Sequence, residues 1–168
     1  MPSPVSAMEN QQLKTIEWIK KQLEDICQLY DGQLALLSSD SFNATFYNTD
    51  DDSYPFRALC CAKLASHLFA EQGGLHCDFG LALYRQHDEP GDPGEQVVIE
   101  KIAQLARQNQ GQLVAGADFI AHHSIQGRVE TQAINPAAIA IMALKEPYES
   151  LLERQLKTLK IQQKLQAD

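Results

Sequence analysis

Leu13, Ile16, Ile19, Leu23, Ile26, Cys27 and Tyr30 recur at three- and four-residue steps. That period lines up one apolar face and predicts a first helix over residues 8–30. Asp31-Gly32 follows, and a glycine suits the left-handed residue that closes a helix. Residues 33–37 and 42–47 are short strand-like runs on either side of Ser38-Ser39-Asp40-Ser41, a turn composition, so they predict a β-hairpin. A polar, acidic loop over 48–53 leads to Ser53, a helix cap, and Pro55, suited to a first helical turn. The helix predicted there covers 55–72, with Phe56, Leu59, Cys60, Ala62, Leu64, Leu68 and Phe69 as apolar positions and Gly73-Gly74 as its stop.

Beyond it the period changes again. Residues 76–84 alternate in part through Cys77, Phe79, Leu81 and Leu83, as a strand does. Residues 85–95 carry Asp-Glu-Pro-Gly-Asp-Pro-Gly, an exposed flexible loop. The pattern then predicts a helix over 96–109, a short strand over 112–115 and a helical turn or two over 117–123. Strands over 128–134 and 138–144 are joined by the turn signal Asn135-Pro136, and a last helix spans 147–165. The order α-β-β-α-β-α-β-α-β-β-α belongs to the α+β class: a mixed, mostly antiparallel sheet covered by helices. The expected organisation is a flexible tail over 1–7, one domain over 8–146, and a C-terminal helix over 147–168 that packs on the domain or mediates association.

Composition narrows the partners. At 168 residues, 44% hydrophobic and 21% charged, the chain has the balance of one globular domain. Its net charge of −8 repels phosphate backbones and anionic lipid, so nucleic acid and direct membrane insertion are not expected. Four cysteines, Cys27, Cys60, Cys61 and Cys77, show no C-x-x-C spacing, and no secretory signal precedes them. Buried reduced thiols and a cytoplasmic location are the expectation. Tethering to a membrane through residues outside the chain stays open, since residues 1–7 read as a tail or a cut linker.

Candidate chemistry is sparse. His122-His123 are adjacent on an expected helix, do not share a face, and fit a helix-end role near carbonyls. His76 and Asp78 share a strand face without a third ligand. Asp50-Asp51-Asp52 lacks the spacing of a calcium loop. No Gly-x-Ser-x-Gly or phosphate-binding glycine loop is present. Leu152, Leu156 and Leu159 on the last helix have core spacing, with a partner-docking stripe as the alternative, and the charges from Glu153 to Lys164 read as a solvated face.

A longer pattern adds to this. Leu29-Tyr30-Asp31-Gly32-Gln33-Leu34 forms a helix end, and Ser39-Asp40-Ser41-Phe42-Asn43-Ala44-Thr45-Phe46 a hairpin with Phe closing its second strand. The Ala-rich segment 57–69 and the strand His76-Cys77-Asp78-Phe79-Gly80-Leu81-Ala82 follow. Then come the helix 98–107 and Gly111-Gln112-Leu113-Val114. Over about residues 10–145 this resembles a class III adenylate or guanylate cyclase domain, which implies a ferredoxin-like, cyclase-homology core. The family's metal chemistry rests on two aspartates. One matches Asp40, with Ser39 where the family has Gly. The other lies on a strand before the first helix, for which residues 1–7 offer no counterpart. The family's base-reading lysine falls on Leu36, and its transition-state Asn and Arg fall on Glu100 and Gln104.

These departures imply no catalytic residues, no bound cofactor, and at most a vestigial metal position at Asp40, where a turn carboxylate hydrogen-bonding its own backbone is the plainer reading. The expected role is a non-catalytic regulatory, signalling or scaffolding domain, paired with a protein partner or with itself, as cyclase domains pair head to tail. The alternatives are a sensor of a nucleotide or cyclic dinucleotide, and a residual cyclase. A diguanylate-cyclase-like site ranks last, because Ser38-Ser39-Asp40-Ser41-Phe42 lacks that family's two glycines and second acid.

Overall fold

A computed structural model describes residues 4–38, 41–47, 53–71, 81–83, 93–109 and 112–167. The elements run α1 (Pro4–Leu29), β1 (Gln33–Ser38), β2 (Ser41–Thr45), α2 (Tyr54–Glu71), β3 (Leu81–Leu83) and α3 (Pro93–Gln108). They continue as β4 (Leu113–Gly116), α4 (Ala117–Ile120), β5 (Val129–Asn135), β6 (Ala138–Leu144) and α5 (Tyr148–Ala167). The predicted order holds element for element. Two helices begin earlier than the pattern predicts: α1 at Pro4, so that residues 4–7 are helical where a tail was expected, and α3 at Pro93. Both starts are prolines. The ring pre-sets a helical φ, and its missing N–H is one the first turn does not use, so proline opens a helix as readily as it marks a loop. The chain divides into two compact units, Met1–Phe79 and Gly80–Asp168. Among the described residues the strands form two sheets rather than one.

The first unit packs α1 on α2 and on β1. Burial on α1 begins at Ile19 and deepens to Ile26 and Cys27, while Leu13 stays exposed. From α2, Leu59, Cys61, Leu64, Ala65, Leu68 and Phe69 are buried, and Trp18 meets the Phe69 ring at 5.9 Å. The closure of α1 differs from the expected glycine cap. Asp31, not Gly32, takes the left-handed conformation, with φ 57. The Gly32 N–H donates to the Cys27 carbonyl at 2.9 Å, the six-to-one bond of a Schellman ending. Asp is among the few residues that tolerate this region. Gly32 is required for another reason: a Cβ there would lie 2.6 Å from the Phe46 ring. The hairpin β1–β2 then pairs Gln33 with Thr45 and Leu36 with Phe42, with an irregular register between Leu36 and Ser38.

The second unit is a mixed sheet in the order β3-β4-β6-β5. β3 and β4 are parallel, joined through α3, and the other two pairings are antiparallel, in keeping with the α+β class and the mostly antiparallel sheet predicted. β4 is buried along its whole length, as a central strand covered on its faces should be. α3 lies on β3 and β4, where Ile102 and Ala106 join Val114 and Ala138 in one cluster. Gly116 lets α3 approach, since a Cβ there would meet Ile102 Cδ1 at 2.9 Å. The β5–β6 hairpin turns where Asn135-Pro136 predicts it, and Asn135 Oδ1 accepts the Ala137 N–H at 2.8 Å. α5 contacts β6 and buries Leu152, Leu156 and Leu159, the core stripe its spacing predicts.

Candidate functional site

The hairpin of the first unit carries Leu36, whose side chain is 57% exposed on β1. Asp40, the vestigial metal position, lies outside the described residues, as do His76, Asp78 and Asp50-Asp51-Asp52. Among the described residues, no three His, Cys, Asp or Glu side chains stand together as a metal site.

In the second unit, helical period divides α3 into two faces. Ile102 and Ala106 turn to the sheet, so Glu100 and Gln104 are exposed. Lys101, Gln104, Leu105 and Gln108 line a shallow groove of about 260 Å³ together with Asn135 from the β5–β6 turn. Three amides and one ammonium offer hydrogen bonds and a single positive charge. No carboxylate, imidazole, thiol or hydroxyl side chain is among the residues that line the groove.

His122 and His123 lie beyond α4, which ends at Ile120, and not on a helix as expected. A turn frees adjacent side chains from helical divergence, and the two rings stack at 4.2 Å with 29° between planes. The buried His122 Nδ1 accepts the backbone N–H of Ser124 at 3.1 Å and lies 2.8 Å from Ser124 Oγ. His122 thus makes a local bond to Ser124, a residue whose burial no periodic pattern announces. Its effect is to hold the turn between α4 and β5.

The α1–α2 seam holds polar groups that the sequence pattern does not single out. Arg57, in the first turn of α2, donates from Nη1 to the Tyr30 carbonyl at 3.0 Å and from Nη2 to the Tyr47 carbonyl at 2.8 Å. One guanidinium fork therefore ties the end of α1 to the exit of β2, a geometry that suits Arg and not Lys. Cys27 and Cys61 face one another across the seam, both buried, with their sulfurs 3.8 Å apart. Neither they nor Cys60 is in a disulfide. Burial of the Tyr30 hydroxyl, with Cys60 and Cys61 nearby, pushes its pKa above the ordinary phenol value.

No protein-family model and no curated protein matches the chain in sequence. A solved structure does match in shape. The guanylyl cyclase Cya2 superposes with a TM-score of 0.54 over 83% of this chain and 84% of that one, at 17% identity. The chain has a cyclase-like fold. At that identity the likeness extends to the fold alone. It agrees with the α+β, cyclase-homology architecture that the order of elements implies. The contact of Gly32 with Phe46 gives a physical reason for part of the resemblance: the glycine after the first helix and the phenylalanine closing the hairpin are one packing unit. Among the described residues no helix is long and apolar enough to cross a membrane.

Proposed function

We propose that this chain is a non-catalytic regulatory or scaffolding domain related to nucleotidyl cyclases. The reading is supported by a cyclase-like fold taken together with the residues that the sequence resemblance puts at the family's working positions. Leu36 has no group that hydrogen-bonds a base. Glu100 repels a triphosphate, and Gln104 brings no charge to oppose one that develops on it. The domain acts by packing against a protein partner or a second copy of itself, in the cytoplasm or as the cytosolic part of a membrane-anchored sensor.

A thermal-shift titration with ATP, GTP and cyclic mono- and dinucleotides, with and without Mn²⁺, tests it, alongside a cyclase assay. A ligand at a hundred times its dissociation constant adds about 2.7 kcal/mol of stability, so binding is readily seen. The expected result is no Mn²⁺-dependent shift and no cyclic product. A Mn²⁺-dependent shift lost in Asp40→Ala, or any turnover, overturns the reading. A shift that needs no metal and survives Asp40→Ala makes the domain a small-molecule sensor instead. Self-association is checked by dilution, where a monomer at high concentration removes the homodimer.

A further inference from the structure

From the facing thiols of α1 and α2 we infer that Cys27 and Cys61 are a redox-responsive pair, closing to a disulfide when a hydroperoxide reaches them and reopening on reduction. The pair stands apart from the nucleotide question and does not depend on the reading above.

The geometry carries the inference. The two sulfurs are 3.8 Å apart, one from each helix, and 34 residues separate them in sequence. A disulfide needs about 2.05 Å, so the sulfurs close by roughly 1.8 Å, within reach of side-chain torsions and a small helix adjustment. Helical geometry selects the partner. Cys60 and Cys61 differ by about 100° around α2, so only one of them faces Cys27. Cys61 does so at 5% exposure, opposite Cys27 at 2%. Both are shielded from bulky oxidants, while hydrogen peroxide is little larger than water. The electrostatics agree: a hydrogen bond from the Cys61 thiol lowers the pKa of Cys27, and the same bond together with burial raises that of Cys61. Attack by either sulfur leads to the same Cys27–Cys61 disulfide.

With attack by Cys27, the chemistry balances in two steps. The Cys27 thiolate attacks one peroxide oxygen. An S–O bond forms, the O–O bond breaks, and the leaving hydroxide takes up the proton that Cys27 released, giving water and a sulfenic acid. The Cys61 sulfur, losing its proton, then attacks the Cys27 sulfur. The S–S bond forms, the S–O bond breaks, and the departing hydroxyl leaves with that proton as a second water. Two thiols are oxidised by two electrons, and one peroxide is reduced to two waters. The product ties α1 to α2 and closes a loop that contains the β1–β2 hairpin.

The test uses the full chain treated with hydrogen peroxide, alkylated, and mapped by mass spectrometry before and after dithiothreitol. The expected outcome is the loss of two hydrogen atoms, a Cys27–Cys61 cross-linked peptide, reversal by dithiothreitol, and a higher melting temperature for the oxidised form. The Cys60→Ala/Cys77→Ala variant is expected to cross-link as the parent does. Absence of the Cys27–Cys61 peptide in the parent, or its loss in that variant, overturns the inference. So does a cross-link through Cys60 or Cys77, or one that forms only after denaturation. Because the parent chain and the double variant decide the matter, it does not depend on whether Cys27→Ala folds.

Discussion

The first unit closes on a pair of helices and the second on a sheet, and they fill their interiors differently. In the first unit the buried set mixes large apolar side chains, Ile26, Leu59 and Leu64, with Gln22, Lys63 and two thiols. Beneath α3 the interior is built from small residues, with Ala106 and Ala138 buried in one cluster with Ile102 and Val114. Helices that meet through large side chains leave room at their seam for polar and sulfur groups. A helix that lies on a sheet through alanines and Gly116 leaves none. The first unit is thus vulnerable to loss of volume and the second to its gain. Chemistry other than packing has space mainly in the first.

This contrast is broken most forcefully by Leu64→Ala, which removes a fully buried side chain of the first unit and is expected to cost about 2–5 kcal/mol in urea unfolding. Its counterpart is Ala138→Leu, which overfills the α3 cluster and is expected to cost about 1–3 kcal/mol. A near-neutral Ala138→Leu would show that the second interior is loosely packed and that the contrast is wrong.

Gly32→Ala comes next in size. The added Cβ drives into the Phe46 ring, and about 1–3 kcal/mol is expected. Phe46→Leu in the same chain should recover part of it, which separates the close approach from any preference for glycine at a helix end.

The smallest effect sharpens the electrostatics of the seam. Tyr30 has its pKa raised in the folded state by burial and by the neighbouring thiols. Folding then favours the protonated phenol, so its contribution is intact below the ordinary value of 10.0 and declines as pH rises above it. Tyr30→Phe should lose less stability than the parent between pH 9 and about 11 in denaturant titrations. Parallel alkaline limbs would mean that the hydroxyl is wetter than the packing implies.

Much of this was open to inspection in the chain itself, because it depends on neighbours in sequence. Helical and strand periods arise from local backbone geometry, so the order of all elements, the Asn135-Pro136 turn and the core stripe of α5 could be read off directly. The cyclase-like fold followed from that order. Helix starts were misplaced at Pro4 and Pro93, because proline serves both a loop and a first turn. What the tertiary structure alone decided lies between residues far apart. Gly32 is needed for Phe46, while Asp31 turns the chain. Arg57 holds two carbonyls from other elements, and His122 meets Ser124 because α4 stops short. Of two adjacent cysteines, Cys61 is the one that faces Cys27. A helical period tells which residues share a face but not which face a partner covers, and that choice is made only when α1 and α2 pack.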